Sequence, residues 1–454
     1  MTKELRLNAF AMNTVSHLSP GLWRHPRDMS MRYTDLDFWA ELARTLERGL
    51  FDGIFLADVL GIYDVYGGTR DAAIRNAAQV PVNDPLQLIP AMALVTEHLG
   101  FGVTCSVSFE HPYPFARRMS TLDHLTRGRI GWNIVTSYLE SGARNLGQTA
   151  LTAHDDRYDI ADEYLDVCYK LWELSWADDA VVRDAESGAY TDPEKVRPIE
   201  HEGRYYSVPG VHLCEPSPQR TPVLYQAGAS RRGRQFAARH AECVFVGAPS
   251  TTVLKKIVAS IREAVAAEGR DPHDVLIFSM LTAIVGASDA AAKAKFEDYR
   301  KYVNLDGALA LLGGWTGVDL SAYALDEAFR HVETNAAQSM VEGFSAADPT
   351  RVWTVREMAE WCGIGGRGGV VVGSPETVAD HMQQVAEEAD VDGYNMAYAV
   401  LPETFTDIAD LLVPELQRRG AYKKAYRPGT LRERLFGSGP RLPAAHYGTR
   451  LRSI

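Results

Sequence analysis

The sequence predicts an α/β protein, a TIM (β/α)8 barrel with insertions and a C-terminal tail, and three observations carry that expectation. Short β-rich runs alternate with helical periodicity along the chain, the pattern of parallel strands joined by crossover helices. Eight such β/α units can be counted. The 454 residues exceed the roughly 250 that a bare barrel needs, so about 200 must lie in insertions. A doubly wound open sheet produces the same alternation and stays open as an alternative.

Residues 5–10 form the first strand. The second, GIFLAD at 53–58, follows a helix whose Phe38, Trp39, Leu42 and Leu46 fall on one face and whose cap is Thr34 or Asp35. FGVTCSV at 101–107 is the third. A helix around Phe115, Met119 and Leu122 leads to the fourth, RIGWNIVTS at 129–137. Ile160, Tyr164, Val167, Cys168 and Leu171 mark the helix before the fifth, at 223–228, and 243–247 is the sixth. Val253, Ile257, Ile261 and Val265 then space a helix ahead of 275–285, which is long enough to hold the seventh. The eighth, GYNMAYAV at 393–400, is entered from a helix opened by Ser374 and Pro375 and left through a helix at 404–419 that Pro414 should bend.

Two stretches hold the surplus length. Residues 177–221 are rich in Pro, Gly and charge, with GRYYSV as a hairpin strand. Residues 304–372 contain GGWTG and GIGGRGG, which mark either a lid at the barrel mouth or a segment packed on the outside. The tail, 421–454, has eight Lys or Arg against one Glu, and a basic tail on an acidic body is expected to grip its own or a neighbouring subunit.

Composition narrows the function. A net charge of -12 argues against nucleic-acid binding, which relies on surplus Lys and Arg, so small molecules or proteins are the expected partners. Cys105, Cys168, Cys214, Cys243 and Cys362 are odd in number and widely spaced, as expected of reduced residues in a cytoplasmic protein. The stretch MTKELRLNAF lacks the long apolar core of a signal peptide, and nowhere do 18 uninterrupted apolar residues occur, so neither export nor a membrane span is expected.

A barrel places its site at the C-terminal ends of its strands. Asp58 ends the second strand there, Thr104 and Ser106 lie late in the third, Asn133, Thr136 and Ser137 lie in or after the fourth, and Ser230 follows the fifth. Polar groups in apolar strands are costly to bury unless paired, and either a polar heterocycle or internal hydrogen bonds could pair these. The stretch QAGASRRGRQ reads as strand, tight turn and helix start, aiming backbone N–H groups and the Ser230 hydroxyl above the strand. A phosphate fits that turn; so does a plain Ser N-cap with a glycine for close packing. His17, His111 and His154 lie at plausible strand exits, but no HxH or HExxH spacing occurs and no metal site is expected. The lack of GxGxxG after a first strand, of a complete P-loop and of GxSxG weakens Rossmann, NTPase and hydrolase readings.

WNIVTS, DDRYDIADEYLDVCYKLW, SPQRTPVLYQAGASRRGRQFAARHAE and VPELQRRG together resemble the bacterial-luciferase-like, two-component flavin monooxygenases, in the branch holding nitrilotriacetate, dibenzothiophene-sulfone and long-chain alkane monooxygenases. The similarity runs over nearly the whole chain and implies a single domain over 1–454. It implies an FMN- and O2-dependent monooxygenase whose reduced FMN comes from a separate NAD(P)H:flavin reductase, reacting through a flavin peroxide on a small organic substrate. A homodimer or homotetramer is expected. The resemblance assigns Asp58, Ser137 and Tyr138 to the flavin, Tyr158, Ala227, Gly228, Ala229 and Ser230 to its phosphate, and the strand argument adds Ser106 and Asn133 near the ring. A phosphate after strand five departs from the usual barrel position after strands seven and eight. His17, Tyr63 and Gln79 match positions linked to activity, His17 as a proton donor or hydrogen-bond partner with a pKa near the working range. Thr14, Tyr138 and Leu311 stand where the alkane branch carries a cysteine and two histidines, which argues against alkane hydroxylation and leaves a heteroaromatic or flavin-type substrate open. A non-catalytic flavin-binding protein and a deazaflavin-dependent oxidoreductase on the same fold are the alternatives.

Overall fold

The computed structural model describes residues 3–228, 230–329, 341, 342, 344 and 351–451. Eight parallel strands form a ring: β1 (Arg6–Met12), β2 (Gly53–Ala57), β3 (Gly100–Ser106), β4 (Ile130–Val135), β5 (Val223–Gln226), β6 (Cys243–Val246), β7 (Leu276–Val285) and β8 (Gly393–Ala397). β6 pairs with β7 from Cys243↔Leu276 to Val246↔Ser279, and β8 pairs with β1 from Arg6↔Gly393 to Ala9↔Met396. These pairings close the sheet, so the open-sheet alternative is overturned and the barrel stands.

Period-two alternation sorts the strand residues into two apolar cores. Leu7, Ile54, Val103, Trp132, Leu224 and Ile277 face the surrounding helices. Trp132, for example, meets Phe115 of the helix Pro112–Leu125 and Tyr164 of the helix His154–Tyr169. Phe10, Phe55, Tyr225, Phe245, Phe278 and Met280 fill the barrel interior. Tyr225 and Phe245 stack at 5.3 Å between ring centroids, with Phe55 edge-on to Phe245 at 4.1 Å. The rings fit because facing strands carry glycine: a Cβ at Gly131 would stand 2.4 Å from the Tyr225 ring and one at Gly102 2.8 Å from that of Phe55. This aromatic plug makes the lower barrel solid and leaves room only above it.

The strands predicted from sequence all occur, but several end early. β4 stops at Val135, β5 at Gln226 and β8 at Ala397, which puts Thr136, Ser137 and Gly228 in loops above the barrel. A further strand, Gly369–Gly373, lies inside what reads as insertion; it pairs parallel with the upper half of β7, from Leu281↔Gly369 to Val285↔Gly373. Its short apolar run is bounded by glycines and has no helical partner of its own in the pattern, so periodicity does not reveal it. GRYYSV supplies a turn and the strand Ser207–Val208, which pairs antiparallel with His201–Glu202. Pro414 is accommodated by a π-helical turn, Ile408–Leu412, just before it, because proline offers no N–H to the preceding turn.

The basic tail grips its own chain at the lower, N-terminal end of the barrel. Lys423 Nζ lies 2.8 Å from Asp52 Oδ1, and Leu431 and Leu435 enter the inner core. Arg432 is fully buried in a bidentate pair with Glu242, at 2.7 and 2.8 Å, and also donates to the carbonyls of Thr221, Pro222 and Pro440. Glu242 in turn accepts the Leu224 N–H, so this pair fixes the starts of β5 and β6.

Candidate active site

The upper strand ends open into a cleft of about 1250 Å³, its mouth included. Three groups of residues line or border it, each delivered by a different part of the chain.

At the exit of β5 the chain turns through Ala227 and Gly228 into the helix Arg231–His240, and Ser230 is its N-cap, with Oγ accepting the Gly233 N–H at 3.0 Å. The same Oγ is 3.3 Å from His154 Nε2. Buried Tyr158 points its hydroxyl into this turn, where a Cβ on Gly228 would approach it to 2.8 Å and one on Gly233 to 2.9 Å. Glycine at both places therefore lets the Tyr158 hydroxyl approach the backbone of this turn beside Ser230. The first helical turn carries no acid but two arginines: Arg232 is engaged by Asp159 and Asp162, and Arg231 is exposed. A helix N-terminus with this surrounding suits an anion.

At the ends of β2, β3 and β4, register sets Thr104 opposite Asn133, and Asn133 Nδ2 donates to Thr104 Oγ1 at 2.9 Å. That leaves Asn133 Oδ1 buried with no partner. Ser106 Oγ and Ser137 Oγ are 2.8 Å apart, and Ser137 holds a left-handed φ of 60°, a strain that a loop tip keeps only when its surroundings impose it. Half-buried Asp58 shares this corner; burial, reinforced by Asp84 and partly offset by the Val59 N–H, pushes its carboxyl up to about 6.

The third group is a directed hydrogen-bond chain. Gln79 Nε2 donates to the His17 carbonyl at 2.7 Å, so Gln79 Oε1 is the acceptor facing the Tyr63 hydroxyl at 2.8 Å. Tyr63 spends its one proton there, so it must accept from Tyr138, at 2.6 Å, and from Trp315 Nε1, at 3.2 Å. Burial raises the pKa of both tyrosines and keeps them protonated. Tyr138 lines the cleft, while Tyr63 stands behind it. His17 lies edge-on to Phe10 at 4.5 Å, with Nδ1 buried and unpartnered. The expectation that His17 titrates in the working range is corrected: burial, aided by Arg367, lowers its pKa to about 3 against a weaker opposing bond from the Phe10 backbone, so the ring is neutral.

Of the residues singled out from sequence, His17, Asp58, Gln79, Asn133, Tyr138 and Ala227 line the cleft, Ser106 and Ser137 line its extension, and Gly228, Ser230 and Tyr158 meet at one corner. Ala229 lies outside the described residues. Thr14 and Leu311 do not line it: Thr14 Oγ1 donates to the Pro81 carbonyl at 2.6 Å, and Leu311 is fully buried in the helix Leu305–Thr316, leaving only Tyr138 of that trio on the wall. Sequence reasoning named His154 as a histidine at a strand exit but did not join it to Tyr158 and Ser230, though its i,i+4 spacing from Tyr158 puts both on one helix face. It missed Trp315, Phe344, Trp361 and Arg367, which the described part of insertion 304–372 brings to the cleft. Among the described residues no group of three His, Cys, Asp or Glu could hold a metal, and no helix is long and apolar enough to cross a membrane.

A family model described as luciferase-like monooxygenase matches residues 15–393. The chain is 51% identical over 452 residues to the dimethyl-sulfide monooxygenase of Hyphomicrobium sulfonivorans, covering 98% of this chain and 94% of the relative. It is 52% identical over 455 residues to the long-chain alkane monooxygenase of Geobacillus thermodenitrificans, covering 100% and 99%. Among solved structures, a riboflavin lyase crystallised with modified FMN and riboflavin matches with a TM-score of 0.92 at 37% identity over 99% of both chains.

Proposed function

This chain belongs to the luciferase-like monooxygenase family, and from that premise we propose that it oxidises a small organic molecule with O2 and reduced FMN delivered by a separate NAD(P)H:flavin reductase. The observation that carries the reading is one cleft lined both by Ala227, which leads into the N-terminus of the helix Arg231–His240, and by Asn133, whose buried amide oxygen is unsatisfied. FMN fits that pair, being a phosphate tethered to a heterocycle with N–H donors. Gly228, Ser230, Tyr158 and the free N–H groups of the helix start would hold the phosphate. Asn133 Oδ1 would accept a ring N–H, with Asp58, Ser106 and Ser137 at the ring's edge. When bound, reduced FMN supplies the electrons that split O2, one oxygen atom going to substrate and one to water.

The chain's own residues then bind, orient and exclude water. The wall of Phe10, Met12, Leu18, Phe344 and Trp361 suits an apolar or heteroaromatic body and keeps bulk water out. Tyr138 and neutral His17 are the polar groups that touch substrate, whereas Tyr63 and Gln79 act as positioning residues through Tyr138. With Tyr138 in place of a histidine, the wall offers a neutral phenol rather than a basic ring.

The test is an anaerobic titration with oxidised and reduced FMN, followed by turnover under 18O2 with a flavin reductase. Preferential binding of the reduced form and one labelled oxygen in the product are expected. Tighter binding of oxidised FMN with no oxygenated product would instead describe a flavin-storage protein, and clear preference for a deazaflavin would describe an oxidoreductase of the other kind.

A further inference from the structure

Among the described residues, only Asp58 and Arg367 bring a full charge to the cleft lining. Asp58 belongs to the corner with Thr104 and Ser106, and the charge that acts on it is that of Asp84 rather than Arg367. Arg367 stands on the other wall. Its guanidinium lies over the Trp315 ring at 5.2 Å, and its charge is felt at His17, Tyr63 and Tyr138. No carboxylate or hydrogen-bond acceptor among the described residues pairs with this half-buried side chain.

The segment that carries Arg367 is tightly seated. Gly365 and Gly366 take φ of +89° and +66°, and a Cβ on Gly366 would stand 2.8 Å from Leu18. A Cβ on Gly368 would be 2.6 Å from the Met280 carbonyl, and one on Gly247 2.6 Å from the Arg367 carbonyl itself. The glycines of GIGGRGG thus press the backbone against β7 and the β6 exit and fix where the arginine starts. Holding a guanidinium against aromatic rings costs hydration that the Trp315 contact only partly offsets, and its planar fork matches an oxyanion. His17, whose Nδ1 is buried and unpartnered, lines the same cleft as a neutral ring.

We propose that Arg367 is a specificity residue and that the substrate is an organic oxyanion, a carboxylate or sulfonate head on an apolar body. The assignment rests on the monooxygenase reading above, with the body against the aromatic wall and the head at Arg367.

Calorimetric titration of the protein with phenylacetate and benzenesulfonate against phenylacetamide and toluene tests it without turnover. The anions should bind at least tenfold tighter than the neutral probes, and Arg367→Met should abolish that preference while Arg367→Lys keeps part of it. Anaerobic affinity for reduced FMN, measured on the same variants, should stay within threefold. Equal binding of neutral and anionic probes to the parent protein, no binding of either anion, or an undiminished preference in Arg367→Met would overturn the proposal. A drop in reduced-FMN affinity in Arg367→Met would also overturn it, by placing the guanidinium on the flavin. Failure to bind reduced FMN at all would sink the monooxygenase reading, and the probe titrations would report on Arg367 regardless.

Discussion

The two walls of the cleft are built on different principles. The wall formed by β2 to β5 is strand-made: Thr104, Asn133 and Ser106 point inward because alternate residues must, and Ser230 caps the helix that follows β5. The opposite wall is insertion-made: Trp315 and Trp361 stand on the helices Leu305–Thr316 and Val355–Cys362, Phe344 and Arg367 come from the same insertion, and Gln79 comes from the connection after β2, with Tyr63 behind it. A continuous backbone ladder fixes the first wall to within a residue, whereas the second rests on packed helices, close glycine contacts and the pairing of Gly369–Gly373 with the upper half of β7. On the proposed function the difference becomes a division of labour: the wall assigned to the flavin rests on register, and the wall assigned to the substrate rests on segments that can change without disturbing the ring.

That division can be broken or sharpened by substitution. The largest effect is expected beneath both walls. Arg432→Ala leaves Glu242 buried without its partner and should cost about 3–5 kcal/mol of stability, read from the denaturant midpoint, with both walls weakened alike. Retention of nearly full stability would mean that the tail does not anchor β5 and β6. On the strand-made wall, Ser230→Ala should weaken reduced-FMN binding by roughly 1–3 kcal/mol while Ser230→Thr keeps most of it. An unchanged affinity would move the phosphate away from that corner.

Behind the insertion-made wall, Tyr63→Phe removes the hydroxyl that links Gln79, Tyr138 and Trp315. A loss of about 1 kcal/mol in kcat/KM is expected, with reduced-FMN affinity unaltered; a matching loss of flavin affinity would show that the walls are coupled. The smallest effect concerns protons. A ring bound beside Asp58 would dehydrate its carboxyl further and favour the neutral form, so by linkage reduced-FMN affinity should fall as pH rises through about 6. Asp58→Asn should remove that component and leave the part due to the phosphate itself; identical profiles would take Asp58 out of contact with the ring.

Legibility followed the same line. Asp58, Ser106, Asn133 and Ser230 could be picked out because a polar residue near the end of an apolar run, in a barrel, has few other places to be. Arg367 gave no such signal, since an arginine among glycines reads equally well as an exposed loop tip. The strand Gly369–Gly373 escaped because its pairing partner is the upper half of β7, which no local pattern announces. His17 was placed correctly in the cleft but assigned the wrong charge behaviour, because its pKa depends on burial and on Arg367, hundreds of residues away.

The sequence by itself determined the eight alternating β/α units and the polar residues at the ends of their strands, because hydrophobic period and helix-capping residues are local properties that a chain states in order. Tertiary structure alone decided which glycines had to stay small beneath the aromatic plug and beside Tyr158, which hydroxyl donates to which, and which arginine faces the cleft without a partner. These outcomes depend on distances between segments far apart in the chain, and such distances exist only after the ring has closed.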